Sequence, residues 1–96
     1  MNLTGARPQI GQFVKVLRGK DEGCIAVVIA IVDDRFVMIA DGDKRRFDEP
    51  KKKNVLHLAL QPAISQEVTS SMLESGRVTN AKLRYVIQKF AHAKGE

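Results

Sequence analysis

The strongest constraint on this fold lies in residues 11–32. A short alternating segment, GQFVKVL, enters the charged turn RGKDEG and leaves it as the apolar run CIAVVIAIV. Val14 and Val16 alternate with Lys15, the period-two pattern of a strand with a buried face, so Lys15 should point away from the core. Phe13 and Leu17 can cover the opposite face near its ends. The second run is continuous and rich in β-branched residues, as a strand buried on both faces requires. Gly19 and Gly23 can take positive φ in the turn between them. A hairpin is therefore the first expected element.

The chain then continues as strands separated by turn signals. Asp33-Asp-Arg35 reads as a connection and residues 36–40 as a third strand. Asp41-Gly-Asp43 is a turn signal, residues 44–47 a short edge strand, and residues 55–60 the last strand. About five short strands cannot make two full sheets, and curling them into a small barrel removes exposed edges. After Pro62 the period changes. Ile64, Val68 and Met72 fall at helical spacing, with Gly76 placed as a C-terminal cap. Thr79 is a candidate N-cap for a second helix, whose Leu83, Val86, Ile87 and Phe90 form an amphipathic stripe.

The expected fold is mainly β with an α extension. A lead-in over residues 1–9 precedes an SH3-like barrel of about five strands over residues 10–62. A helical hairpin over residues 63–96 packs on or beside it.

Composition narrows the class. Ninety-six residues suffice for one domain. No apolar run approaches the roughly 20 residues that span a bilayer, and residues 1–8 lack a signal-peptide stretch. The single Cys24 cannot form an internal disulfide, which agrees with a reducing compartment. A cytoplasmic protein is expected. The net charge of +5 and pI near 9.7 suit a polyanionic partner, because phosphate contacts release condensed counterions.

The strand–turn–strand layout resembles the KOW motif, a β-turn-β element of ribosomal proteins and transcription factors that touch RNA. Gly23 stands as its central glycine, with Val14 and Val16 before it and Val27 and Val28 after. Ala26 stands where many KOW sequences carry a further glycine, a departure from the bacterial large-subunit KOW protein. Residues 11–62 resemble more specifically the archaeal and eukaryotic large-subunit ribosomal protein of the L-fourteen-e type. Four segments carry this likeness. They are Val14-Lys-Val16 leading to Gly19 and Gly23; residues 28–34 before Phe36-Val37; Ala40-Asp-Gly42; and Asn54 with His57 and Leu58. The resemblance covers a little over half the chain and stops at the helices. It implies a KOW barrel contacting ribosomal RNA, and does not by itself imply a stoichiometric ribosomal protein; a short relative of the bacterial KOW-domain RNA-binding type is expected.

Two groups of cations are the candidate RNA-binding residues. Lys44, Arg45, Arg46, Lys51, Lys52 and Lys53 flank only Asp48 and Glu49. On one loop they could follow a phosphate backbone, with arginine gripping a phosphate through two donors. Lys15, Arg18 and Lys20 surround the motif turn at Gly19 and Gly23, where Asp21 and Glu22 oppose them. Arg77, Lys82, Arg84 and Lys89 offer a second basic surface on the helices. Aromatics are few, and Phe13, Phe36 and Phe47 fall in expected strands. That favours structured RNA held through phosphates and 2′-hydroxyls over stacked single strands.

No catalytic set is expected. Cys24 reads as a small core residue, and His57 and His92 lack partners at metal-ligand spacing. The paired carboxylates Asp33-Asp34 and Asp48-Glu49 read as turn chemistry. No GxxxxGK[ST] loop is present. No cofactor, metal, membrane or small-molecule substrate is expected; the expected partners are structured RNA, most of all ribosomal RNA, and ribosomal proteins. The alternative is a protein-interaction module that docks a transcription or translation factor through the barrel or hairpin. A dimerisation role for the barrel is a third reading.

Overall fold

A computed structural model of the chain describes residues 7–95. Most of the lead-in expected over residues 1–9 lies outside the described residues. Five strands form one antiparallel sheet in the order β4-β3-β2-β1-β5. They are β1 (Gln12–Val16), β2 (Ile25–Ile31), β3 (Phe36–Ala40), β4 (Lys51–Asn54) and β5 (Leu58–Ile64). A single 3₁₀ turn, Val55–His57, links β4 to β5. Two helices follow, α1 (Gln66–Ser75) and α2 (Asn80–Gly95).

That 3₁₀ turn dictates the shape of the sheet. β4 and β5 stand at opposite ends of the strand order. In a flat sheet, four spacings would hold them about 19 Å apart. Asn54 and Leu58 are four Cα steps apart, at most about 15 Å when fully extended, and the 3₁₀ turn shortens that reach. The sheet must therefore curl. Asn54 starts the turn, its side chain accepting from the Leu56 amide at 2.9 Å. The Leu17 amide donates across to the His57 carbonyl at 2.8 Å.

The curl creates two apolar layers. Inside it lie Val14, Val16, Ala26, Val28, Val37, Ile39 and Leu58. Outside it Phe13, Val27, Ile29 and Ala40 meet Val68, Val78, Leu83 and Val86 from the helical segment. Alternation along β2 sends Ala26 and Val28 inward and Val27 and Ile29 outward, so all four are buried. The continuous apolar run thus serves both faces. Phe13 stacks on Phe90, ring centroids 4.2 Å apart and planes 7° from parallel. Lys15, between Val14 and Val16, is exposed as its alternation required.

Three strand expectations need correction. Residues 44–47 form turns, and the edge strand is Lys51–Asn54, which pairs with β3 from Ile39 back to Phe36. Residues 55–57 are a 3₁₀ turn, and the last strand starts only at Leu58. It runs past Pro62, which an edge strand tolerates because one side needs no donors. Ile64 pairs with Gln12 at the end of β5 and does not belong to the α1 stripe.

The helix ends follow local chemistry. Ser65 caps α1 by accepting from the Val68 amide at 3.2 Å. Gly76 ends it in the left-handed region, φ 73°, its amide donating to the Met72 carbonyl. The Thr79 hydroxyl accepts from the Lys82 amide at 3.1 Å, the expected cap of α2. Among the described residues no helix is long and apolar enough to cross a membrane.

Candidate nucleic-acid interface

The turn between β1 and β2 is tightly closed. The Gly23 amide donates to the Val16 carbonyl at 2.7 Å and the Glu22 amide to the Gly19 carbonyl at 3.2 Å. Gly19 and Gly23 take φ of 100° and 89°, a region where a Cβ costs about 1–2 kcal/mol. Arg18 and Lys20 are left exposed on this rigid turn.

The segment between β3 and β4 is equally constrained. Asp41 Oδ1 accepts from the Asp43 and Arg45 amides, both at 2.9 Å. The Arg45 carbonyl accepts from the Asp41 and Gly42 amides. Helix α2 grips the same segment from outside. Asn80 Oδ1 accepts from the Phe47 amide, and Arg84 Nη1 donates to the Gly42 carbonyl, each at 2.7 Å. The Arg77 guanidinium lies over the Phe47 ring at 6.0 Å.

Turn and segment meet. Arg45 Nε pairs with Asp21 Oδ2 at 2.9 Å. Lys53 Nζ donates to the Arg18 carbonyl at 2.8 Å, and Lys44 Nζ lies 3.9 Å from Cys24 Sγ. Two cation groups that are separate in sequence therefore form one continuous surface.

The structure also divides the candidates. Residues 51–53 are strand rather than loop, so alternation splits them. Lys51 and Lys53 stand opposite Ile39 and Val37, on the face turned toward the inner layer. Lys52 takes the other face, its Nζ 4.7 Å from the Phe36 ring centroid. Lys44, Arg45, Lys52 and Lys53 thus have partners within the fold. Lys15, Arg18, Lys20, Arg46 and Lys51 are exposed, and among the described residues no hydrogen bond or ion pair holds their charged ends. Lys15 stands apart from the rest, on β1 opposite Ile25 and Ala59.

Arg77, Lys82, Arg84 and Lys89 are each engaged within the fold. Besides Arg77 and Arg84, Lys82 Nζ donates to Ser71 Oγ at 3.1 Å and Lys89 Nζ pairs with Glu67 at 3.4 Å. They brace the hairpin and do not present an open basic face. Asp21 and Asn80 are the structurally important residues that the sequence left unmarked. Asp21 read only as a charge opposing its neighbours, and no local pattern announces a hydrogen bond that spans 33 positions.

The chemistry available is that of anion binding. Phe13 is stacked in the core, Phe36 and Phe47 lie half-buried beneath cations, and Tyr85 is exposed but faces Lys89 at 5.4 Å. Few rings are free to stack on bases. Among the described residues no three His, Cys, Asp or Glu side chains gather as a metal site needs. The Asp33 carboxyl is held below the usual carboxylate range chiefly by the Arg35 amide, then by the Phe36 amide and the charges of Lys52 and Arg35. It shapes the hairpin between β2 and β3 by accepting from both amides.

The chain matches no protein-family model. It is 48% identical over 71 residues to a Bacillus subtilis (strain 168) protein named "Putative ribosome-binding protein YbzG". That alignment covers 74% of this chain and 96% of the Bacillus protein.

Proposed function

The chain belongs to the family of YbzG, and from that premise we propose that it is a non-catalytic, cytoplasmic protein that binds the ribosome by gripping structured ribosomal RNA. The observation that carries this reading is the fusion of the β1–β2 turn with the segment before β4. Asp21–Arg45 and Lys53–Arg18 lock the two together. Arg18, Lys20, Arg46 and Lys51 are then left free on a rigid frame. Free cations on a preorganised backbone suit phosphates, since little side-chain and loop ordering remains to oppose binding.

The finer fold assignment belongs to the same proposal. A meander of strands whose ends are drawn together by one 3₁₀ turn supports a KOW-type SH3-like barrel over residues 10–62. Four free cations on this surface give a salt slope of roughly −3 for log K against log salt. A second reading, docking on a protein, draws on the exposure of Leu73 and Tyr85 on the helices. It predicts a complex insensitive to salt.

Sucrose-gradient sedimentation of the tagged protein with ribosomes, at low and high salt, separates these readings. Co-migration with the large subunit that is lost as salt rises is the expected result. Migration at the top of the gradient in both conditions would sink the ribosomal reading.

A further inference from the structure

The helical hairpin meets the basic segment at the start of α2. Its two polar contacts there are both to main chain: Asn80 Oδ1 to the Phe47 amide and Arg84 Nη1 to the Gly42 carbonyl. They bracket residues 42–47, the stretch that carries Lys44, Arg45 and Arg46. Contacts to main chain set the path of a segment, whichever side chains it carries.

We infer, on the RNA-binding reading above, that the first two turns of α2 position the basic segment, with Asn80 and Arg84 as positioning residues. Three further observations fit this role. Gly42 is buried with φ 81°, and a Cβ there would press on the Asn80 carbonyl oxygen and stand 3.0 Å from Leu83 Cβ. The close approach of helix and segment thus depends on a glycine. Phe47 packs against the outer apolar layer, which includes Leu83 and Val86, while Arg77 covers its ring. Leu83 is fully buried, so α2 is anchored to the sheet and provides a fixed reference. At its far end the segment runs into β4, already paired with β3. Residues 43–50 have no sheet pairing, and α2 holds the stretch at Gly42 and Phe47.

An arginine in this arrangement does not act as a phosphate ligand. Arg84 donates to the carbonyl of Gly42, and its contribution to binding is the placement of Arg45 and Arg46. The hairpin then serves RNA binding without touching RNA, which distinguishes this inference from a second basic surface on the helices.

Two readouts test the inference. The first needs no ligand: amide hydrogen exchange of residues 43–47 in Asn80→Ala, Asn80→Asp and wild type. Loss of the Phe47 hydrogen bond should speed its exchange about 3- to 10-fold in Asn80→Ala, whereas Asn80→Asp keeps the acceptor and the protection. The second is affinity for purified Bacillus subtilis ribosomes. Asn80→Ala should bind about 3- to 10-fold more weakly. Ile87→Val, which trims the packing of the same helix on the outer layer and leaves Asn80 and Arg84 in place, should bind as wild type does. Unchanged exchange in Asn80→Ala would overturn the inference, and so would an equal loss of affinity in Ile87→Val. If wild type fails to bind ribosomes at all, the ribosomal reading falls, and the exchange data still decide whether α2 holds the segment.

Discussion

Arg45 Nε lies 2.9 Å from Asp21 Oδ2, joining the segment after β3 to the turn between β1 and β2 across 24 positions of sequence. Both side chains are partly sheltered, at 30% and 15% exposure. A pair of this kind contributes of order 1 kcal/mol or less, and less still in high salt. Its greater consequence is geometric, because it sets two groups of cations side by side.

Asp21→Asn separates charge from geometry. The substitution raises the net charge from +5 to +6, so charge alone predicts tighter binding to ribosomes. Loss of the tie to Arg45 predicts weaker binding, and weaker binding is the expected outcome. Titration at two salt concentrations checks it; an affinity above wild type at both would show that the ion pair has no positioning role.

Single neutral substitutions should sort the cations. Lys20→Gln, Arg46→Gln and Lys51→Gln should each reduce the salt slope by about 0.9 and leave the melting temperature unchanged. Lys53→Gln should instead lower stability by about 0.5–1.5 kcal/mol, since its ammonium holds the Arg18 carbonyl. Paired binding and thermal-melt series would expose a failure, most directly a Lys53→Gln variant with wild-type stability.

Two glycines should differ in cost. Gly23 has φ 89° with open space around a Cβ, so Gly23→Val should cost about 1–2 kcal/mol from backbone alone. Gly42 has φ 81° and is also crowded by Asn80 and Leu83. Gly42→Ala should therefore cost about 2–5 kcal/mol, backbone and overpacking together. Urea denaturation gives both values, and equal losses would contradict the tight seat of α2.

Acid should weaken the helical hairpin. The Glu67 carboxyl is held below the usual range by its own backbone amide at the start of α1, with Lys89 and Ser65 assisting. A carboxylate whose folded pKa is depressed stabilises the fold at pH above its unfolded value, about 4.3. That contribution is lost as pH falls through the lower folded value. Glu67→Gln should flatten the decline in stability between about pH 5 and 3. The change should be small, because the Lys89–Glu67 pair is exposed; identical pH curves would show that Glu67 takes no part.

Much of the architecture was legible because its signals are local. Alternation at Val14, Lys15 and Val16, the apolar run of β2, and the turn residues Asp33, Asp41 and Gly42 all act within a few positions. Gly76 caps α1 by donating its amide to a carbonyl four residues back, and Thr79 caps α2 by accepting from an amide three residues on. The Lys51–Asn54 strand was not legible. Its three lysines show no apolar alternation, and it is extended because β3 offers an unpaired edge.

The sequence by itself determined the strands of the central hairpin, the turn glycines, the helix caps and an excess of positive charge. Each of these depends on the backbone preferences of a residue and on its immediate neighbours. Only the tertiary structure decided which cations are free. Lys53 and Arg45 are held, and Lys51 and Arg46 are not, because the curled sheet brings up partners 35 and 24 positions away. A charge pattern gives the number of cations, and their availability to a ligand is set by the hydrogen bonds that the fold has already made.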